Sequence, residues 1–296
     1  MKNSKIDNIA EETEGRARIL FGWQLKLVAC VAFSWSLFQL WYASPLPFIV
    51  GFGVFIDVPA RAIHLGFGLF LAFLLFPFNK KNRSKKINIL NFLLSIIAFF
   101  VTFYLFYNYE ALVYRNGVLL KHPLSLFGNE YFFPTELVIG GIGMLLLLEA
   151  TRRAIGIPLV IVASIFLIYS IFGQSMPEMI SHQGLSLKRL VGYHWFGGEA
   201  IFGIPISVSV SFVFLFVLFG SMLDFAGGGK YFLDLAIALV GKFRGGPAKA
   251  SIMASGLTGM ISGSSIANVV TTGTFTIPIM KKTGFPAVKA GAIEVA

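Results

Sequence analysis

A chain of 296 residues that is 56% hydrophobic and only 13% charged is too apolar for a soluble domain of its length, and its apolar blocks are long enough to cross a bilayer. The net charge of +10 points to no nucleic-acid partner, because Lys and Arg form no stripe interleaved with exposed aromatics. The single cysteine, Cys30, excludes an internal disulfide and a cysteine metal cluster.

The N-terminal stretch MKNSKIDNIAEETEGRARIL is polar and mixed in charge. No small-residue cleavage site follows in the next apolar run, so the first span stays as an anchor. Six spans are expected from the apolar blocks: about Leu25–Tyr42, His64–Phe78, Ile87–Tyr107, Pro134–Leu148, Ile157–Phe172 and Ile201–Leu223.

The bases between the blocks set the topology. NKKNRSKK (Asn79–Lys86) and ATRRAIG (Ala150–Gly156) are separated by two crossings, and Lys230, Lys242, Arg244 and Lys249 by two more. All fall on one side, which the positive-inside rule makes cytoplasmic, together with Arg16, Arg18 and Lys26 at the N-terminus. The opposite loops, Asn108–Phe133 and Gly173–Ala200, hold Glu110, Glu130, Glu178 and Glu199 with interfacial Tyr109, Tyr131, Tyr193 and Trp195.

After the sixth span, Tyr231–Val240 is apolar but too short to cross and is bounded by glycines and bases. It reads as a helix lying along the cytoplasmic interface. The GGGK before it lacks the spacing of a phosphate loop and has Tyr231 where a Ser or Thr would bind magnesium, so it reads as a flexible hinge.

Pro247–Lys282, GPAKASIMASGLTGMISGSSIANVVTTGTFTIPIMKK, has Lys249 at one end and Lys281 and Lys282 at the other. Both ends are then cytoplasmic, yet each half has about 16 residues, or roughly 24 Å of helix against about 30 Å of hydrocarbon. The segment should enter and turn back. Backbone at such a tip must be buried in protein or line a wet cavity. Glycine, serine and threonine also suit plain helix packing in a bilayer, so two readings stand, and the flanking charges favour a binding hairpin. In that reading Ser264, Ser265, Asn268, Thr271 and Thr272 offer hard oxygen ligands of the kind sodium takes.

Lys242–Ala296 carries GGPAK, SGSS-A-N, TTG-FTIP and GAIE in that order, and it resembles the first hairpin region of the large membrane subunit of tripartite ATP-independent periplasmic (TRAP) transporters. LEATRRAIGIPLV (Leu148–Val160) and the run from FVLFGSMLDF onward resemble versions in which small and large membrane subunits are fused and paired with a TAXI-type binding protein. The resemblance covers nearly the whole chain.

It implies sodium-coupled import of organic acids (carboxylates) delivered by a periplasmic solute-binding protein, with sodium as coupling ion, no other cofactor and no catalytic residue. It nominates Ser262, Gly263, Ser264, Ser265, Asn268, Thr271, Thr272 and Gly273 for the sodium and substrate region. The expected fold is an all-α polytopic membrane protein with about six transmembrane helices, an interfacial helix and a re-entrant helical hairpin, in a bacterial or archaeal inner membrane.

The expected divisions are a cytoplasmic segment (1–24), small-subunit-like and scaffold helices (25–173), an outer loop, sixth span and interfacial arm (174–246), and an incomplete first hairpin (247–296). The resemblance implies further helices beyond Ala296, so the remainder of the large subunit is an expected partner beside substrate, binding protein and lipid. A truncated, non-transporting scaffold is the alternative expectation. The permease of an ATP-driven importer is a second one, since EATRRAIG also resembles such an importer's coupling loop.

Glu136, after Pro134, suits a helix N-terminus, and Glu149 is placed to pair with Arg152 or Arg153. His64, His122, His182 and His194 are scattered without metal-ligand spacing, and no G-x-S-x-G elbow occurs, so neither a metal enzyme nor a hydrolase is expected.

Overall fold

The computed structural model describes residues 17, 18, 20–78, 87–115, 118–126, 129–260 and 265–295, with the backbone alone at 122–126, 129–132, 224, 265–268, 270, 271 and 274. Its helices are α1 (Trp23–Ala43), α2 (Leu46–Val50), α3 (Asp57–Leu75), α4 (Ile89–Tyr114), α5 (Thr135–Ala154), α6 (Ile157–Ile171) and α7 (Leu187–Val191). They continue with α8 (Ile204–Leu223), α9 (Gly228–Val240), α10 (Gly246–Gly259), α11 (Ser265–Lys282) and α12 (Ala287–Val295). Between α4 and α5, β1 (His122–Leu126) and β2 (Asn129–Phe133) pair antiparallel, with His122 opposite Phe133. Arg16–Ser211 forms one compact unit and Phe212–Ala296 belongs to a second.

All six apolar blocks are helical. The second begins earlier than expected, at Asp57, because Asp57 and Pro59 both suit a first turn and Asp57 pairs with Arg61 one turn on, at 3.0 Å. Among the described residues α1, α3, α4 and α8 are long and apolar enough to cross a membrane. The fifteen-residue α6 is shorter, and α5 carries Glu136, Glu149, Arg152 and Arg153 near its ends.

The first unit buries polar side chains beside its apolar core and exposes many large apolar ones, which fits a lipid solvent. α1 buries Gln24 and Gln39 while Phe33, Leu37 and Leu40 are exposed. α6 buries none of its residues and exposes Ile161, Ile165 and Phe166. Among the groups α4 buries are Asn91, Ser95 and Thr102.

Several internal polar groups find partners. The Trp35 indole donates to His64 Nδ1 at 3.2 Å, which leaves Nε2 as the donor toward Ser209 Oγ at 3.1 Å. Gln39 Nε2 donates to the Val210 carbonyl at 3.0 Å.

The core beneath α5 depends on missing side chains. A Cβ at Gly143 would lie 2.3 Å from the Trp195 ring, and one at Gly140 would meet Val191 at 2.4 Å. Trp195, Phe196 and Phe202 fill that space together with Val58, Leu105 and Met144.

Two ionic clusters pin the ends of α5. Glu136 is fully buried and accepts both guanidinium nitrogens of Arg115 at 2.8 and 3.1 Å, the Tyr104 hydroxyl at 3.1 Å and the Leu120 N–H at 2.6 Å. Glu149 accepts from Arg152 and Arg153, each at 2.7 Å, as the helical spacing anticipates. Arg153 also donates to Asn91 at 2.9 Å and lies over the Phe73 ring.

In the second unit, α9 starts three residues before the expected Tyr231. Gly227 has φ +92 and the glycines after it are helical, so GGGK is a helix start. α9 buries Leu233 and Ala236 against Ala250 and Ala254 of α10, a contact whose three alanines let the two helices approach closely.

Candidate functional site

The second unit places three short helices around one carboxylate. α10 begins after Gly245, whose φ of +73 suits glycine, and carries Pro247 in its first turn, where the missing N–H costs nothing. Its small residues leave one face for α9 and another for Ser251 and Thr258, both buried. α11 packs on α10, and α12 packs on both.

Glu294, near the end of α12, is 3% exposed. It accepts from Ser251 Oγ of α10 at 2.5 Å, from Thr276 Oγ1 of α11 at 2.5 Å, and from Thr272 Oγ1 of α11. Thr272 and Thr276, four residues apart, share a helix face. Ser251, Thr272 and Thr276 are themselves buried. Gly273 makes room for the acid, since a Cβ there would lie 3.2 Å from Glu294 Cγ.

No ion pair compensates this charge among the described residues. Lys249 of α10, Lys281 and Lys282 of α11 and Lys289 of α12 are all exposed. A lone carboxylate held away from water is costly unless its oxygens are hydrogen-bonded, which the three hydroxyls achieve without supplying a positive charge. Ionisable groups placed this way inside membrane proteins mark ion or substrate paths.

Of the residues the sequence nominates, Thr272 and Gly273 are brought to this acid. Ser265, Asn268 and Thr271 lie on α11, but their side chains fall outside the described residues, as do Ser262, Gly263 and Ser264 altogether. The nomination omitted Ser251, Thr276 and Glu294. One signal was available: Glu294 is the lone acid from Pro247 onward, in an otherwise small and apolar stretch.

The first unit offers a different kind of space, a cavity of about 270 Å³ lined by Met144, Leu147, Phe166 and Leu167, with Ser170 and His194 as its polar groups. Its lining suits an apolar guest better than a carboxylate. Among the described residues no three His, Cys, Asp or Glu side chains gather as a metal cluster would require.

The sequence pattern of the family described as tripartite ATP-independent periplasmic transporter, DctM component, matches residues 142–296. Three relatives illustrate the likeness. An uncharacterised protein YgiK of Salmonella typhimurium is 29% identical over 56% of this chain and 34% of its own length. The C4-dicarboxylate TRAP transporter large permease protein DctM of Rhodobacter capsulatus is 39% identical over 24% of this chain and 16% of its own. The protein of the same description from Vibrio cholerae is 28% identical over 49% and 29%. The chain thus spans about a third or less of the length of these relatives. No solved structure matches.

Proposed function

Because the chain belongs to the family of the tripartite ATP-independent periplasmic transporter DctM component, a family of transporter permeases and not of enzymes, we propose that it forms part of the permease of a sodium-coupled secondary transporter importing organic acids. A periplasmic solute-binding protein, of TAXI type by the resemblance of the upstream motifs, delivers the substrate. C4-dicarboxylates are the first class to try, since that is what the Rhodobacter capsulatus and Vibrio cholerae relatives are named for.

The observation that carries this reading is the polar interior of α10–α12 within the matched region. α10 and α11, with 14 and 18 residues, measure roughly 21 and 27 Å, both short of about 30 Å of hydrocarbon. With α10 ending at Gly259, α11 starting at Ser265 and the two packed on one another, they suit a re-entrant pair with its tip in protein. Ser262, Gly263, Ser264, Ser265, Asn268, Thr271, Thr272 and Gly273 then line the sodium and substrate region, with the hydroxyls and the Asn268 amide supplying oxygen. The multi-pass chain sits in the inner membrane with its N-terminus in the cytoplasm.

Uptake tests this. The full-length permease, reconstituted in liposomes with its binding protein, should accumulate a labelled dicarboxylate under an inward sodium gradient without ATP. Uptake that ignores sodium and requires ATP would overturn the reading in favour of an ATP-driven importer.

A further inference from the structure

The polar knot around Glu294 does more than close a helix packing. Its donor set is one carboxylate and three hydroxyls, all hard oxygen with no nitrogen or sulfur, the set that alkali and alkaline-earth cations prefer. A single negative charge balances one monovalent ion and leaves a divalent ion half compensated.

Hydrogen bookkeeping at Thr276 shows how the knot can accept an ion. The hydroxyl has one hydrogen and two acceptors in reach: Glu294 Oε2 at 2.5 Å and the Thr272 carbonyl at 3.0 Å. Turned toward the carbonyl, it keeps a hydrogen bond and frees a lone pair beside the carboxylate. Gly273, bare of side chain next to the Glu294 methylene, gives the acid space to adjust.

We infer that Glu294, Ser251, Thr272 and Thr276 form a binding site for one alkali-metal cation among α10, α11 and α12. The cation supplies the positive charge that no lysine of α10, α11 or α12 brings to Glu294 among the described residues, and it joins three helices at a common point. An ion held this way stabilises whichever arrangement gathers all three, so its loading can bias the helices between two dispositions. The site deepens the transport reading above and rests on it for any coupling to substrate movement. Ion binding itself is measured without transport.

The experiment uses the purified full-length protein in detergent. Thermal unfolding is followed in sodium chloride and in choline chloride at equal ionic strength, at two pH values, for wild type, Glu294→Gln, Thr276→Val and Ser251→Ala. Sodium should raise the unfolding temperature of the wild type in a saturable way. The apparent sodium affinity should fall about tenfold or more in Glu294→Gln and in the near-isosteric Thr276→Val, the scale of one lost interaction with a charged group. Ser251→Ala keeps the test valid should another variant fail to fold.

Wild-type sodium affinity in the variants that fold would overturn the site. A stabilisation that tracks pH, ignores sodium and vanishes in Glu294→Gln would overturn it in favour of a proton. Intact sodium binding in a permease that transports under no gradient would leave the site standing and sink the transport reading instead.

Discussion

Gly143 sets how closely α5 approaches Trp195, and the cost of changing it follows from the space. A methyl group there would overlap the indole ring, and Trp195 is fully buried with Phe202 against it, so the ring has little freedom to retreat. Gly143→Ala should therefore destabilise the protein by about 1–3 kcal/mol, as overpacked cores do, seen as a lower unfolding temperature in detergent. At this scale the sequence was readable only where partners are near in the chain. Glu149 and its arginines are three and four residues apart, and that pairing was anticipated. Glu294 takes its hydrogen bonds from residues 18, 22 and 43 positions away. No local pattern encodes those distances, so it was passed over in favour of the hydroxyl-rich tip.

At the level of elements, the apolar blocks gave the spans, because length and hydropathy suffice to specify a membrane helix. Two features lay beyond that signal. The β1–β2 pair was expected only as part of an outer loop, since a single short hairpin has no strong periodicity of its own. The π-helical turns at Gly192–Phe196 and Ser209–Val213 are local departures from α-helical bonding, which neither composition nor hydropathy reports. The segment after α4 is tied to α5 through one acid: Arg115 and the Leu120 N–H both reach Glu136. Arg115→Ala removes the guanidinium from a fully buried carboxylate and should cost about 3 kcal/mol, the lower end for a broken buried ion pair. Arg115→Lys keeps the charge but loses the paired geometry and should recover only part of it. Thermal unfolding of the two variants beside wild type checks both magnitude and order.

For the whole molecule, the distribution of bases carries the topology, and topology decides what α10 and α11 are. With Lys249 and Lys281 on one face of the membrane, the intervening helices are a dip around the polar interior that Glu294 anchors. On opposite faces they are a crossing, and the buried hydroxyls belong to ordinary helix packing. Sided labelling decides between the two. Cys30 is exposed, so the background is Cys30→Ser, into which Lys249→Cys and Lys281→Cys are introduced separately and treated with a membrane-impermeant thiol reagent in intact cells and in inverted vesicles. With both lysines on the cytoplasmic face, both positions should react in inverted vesicles and neither in intact cells. Reaction of one position in cells and the other only in vesicles would contradict that placement.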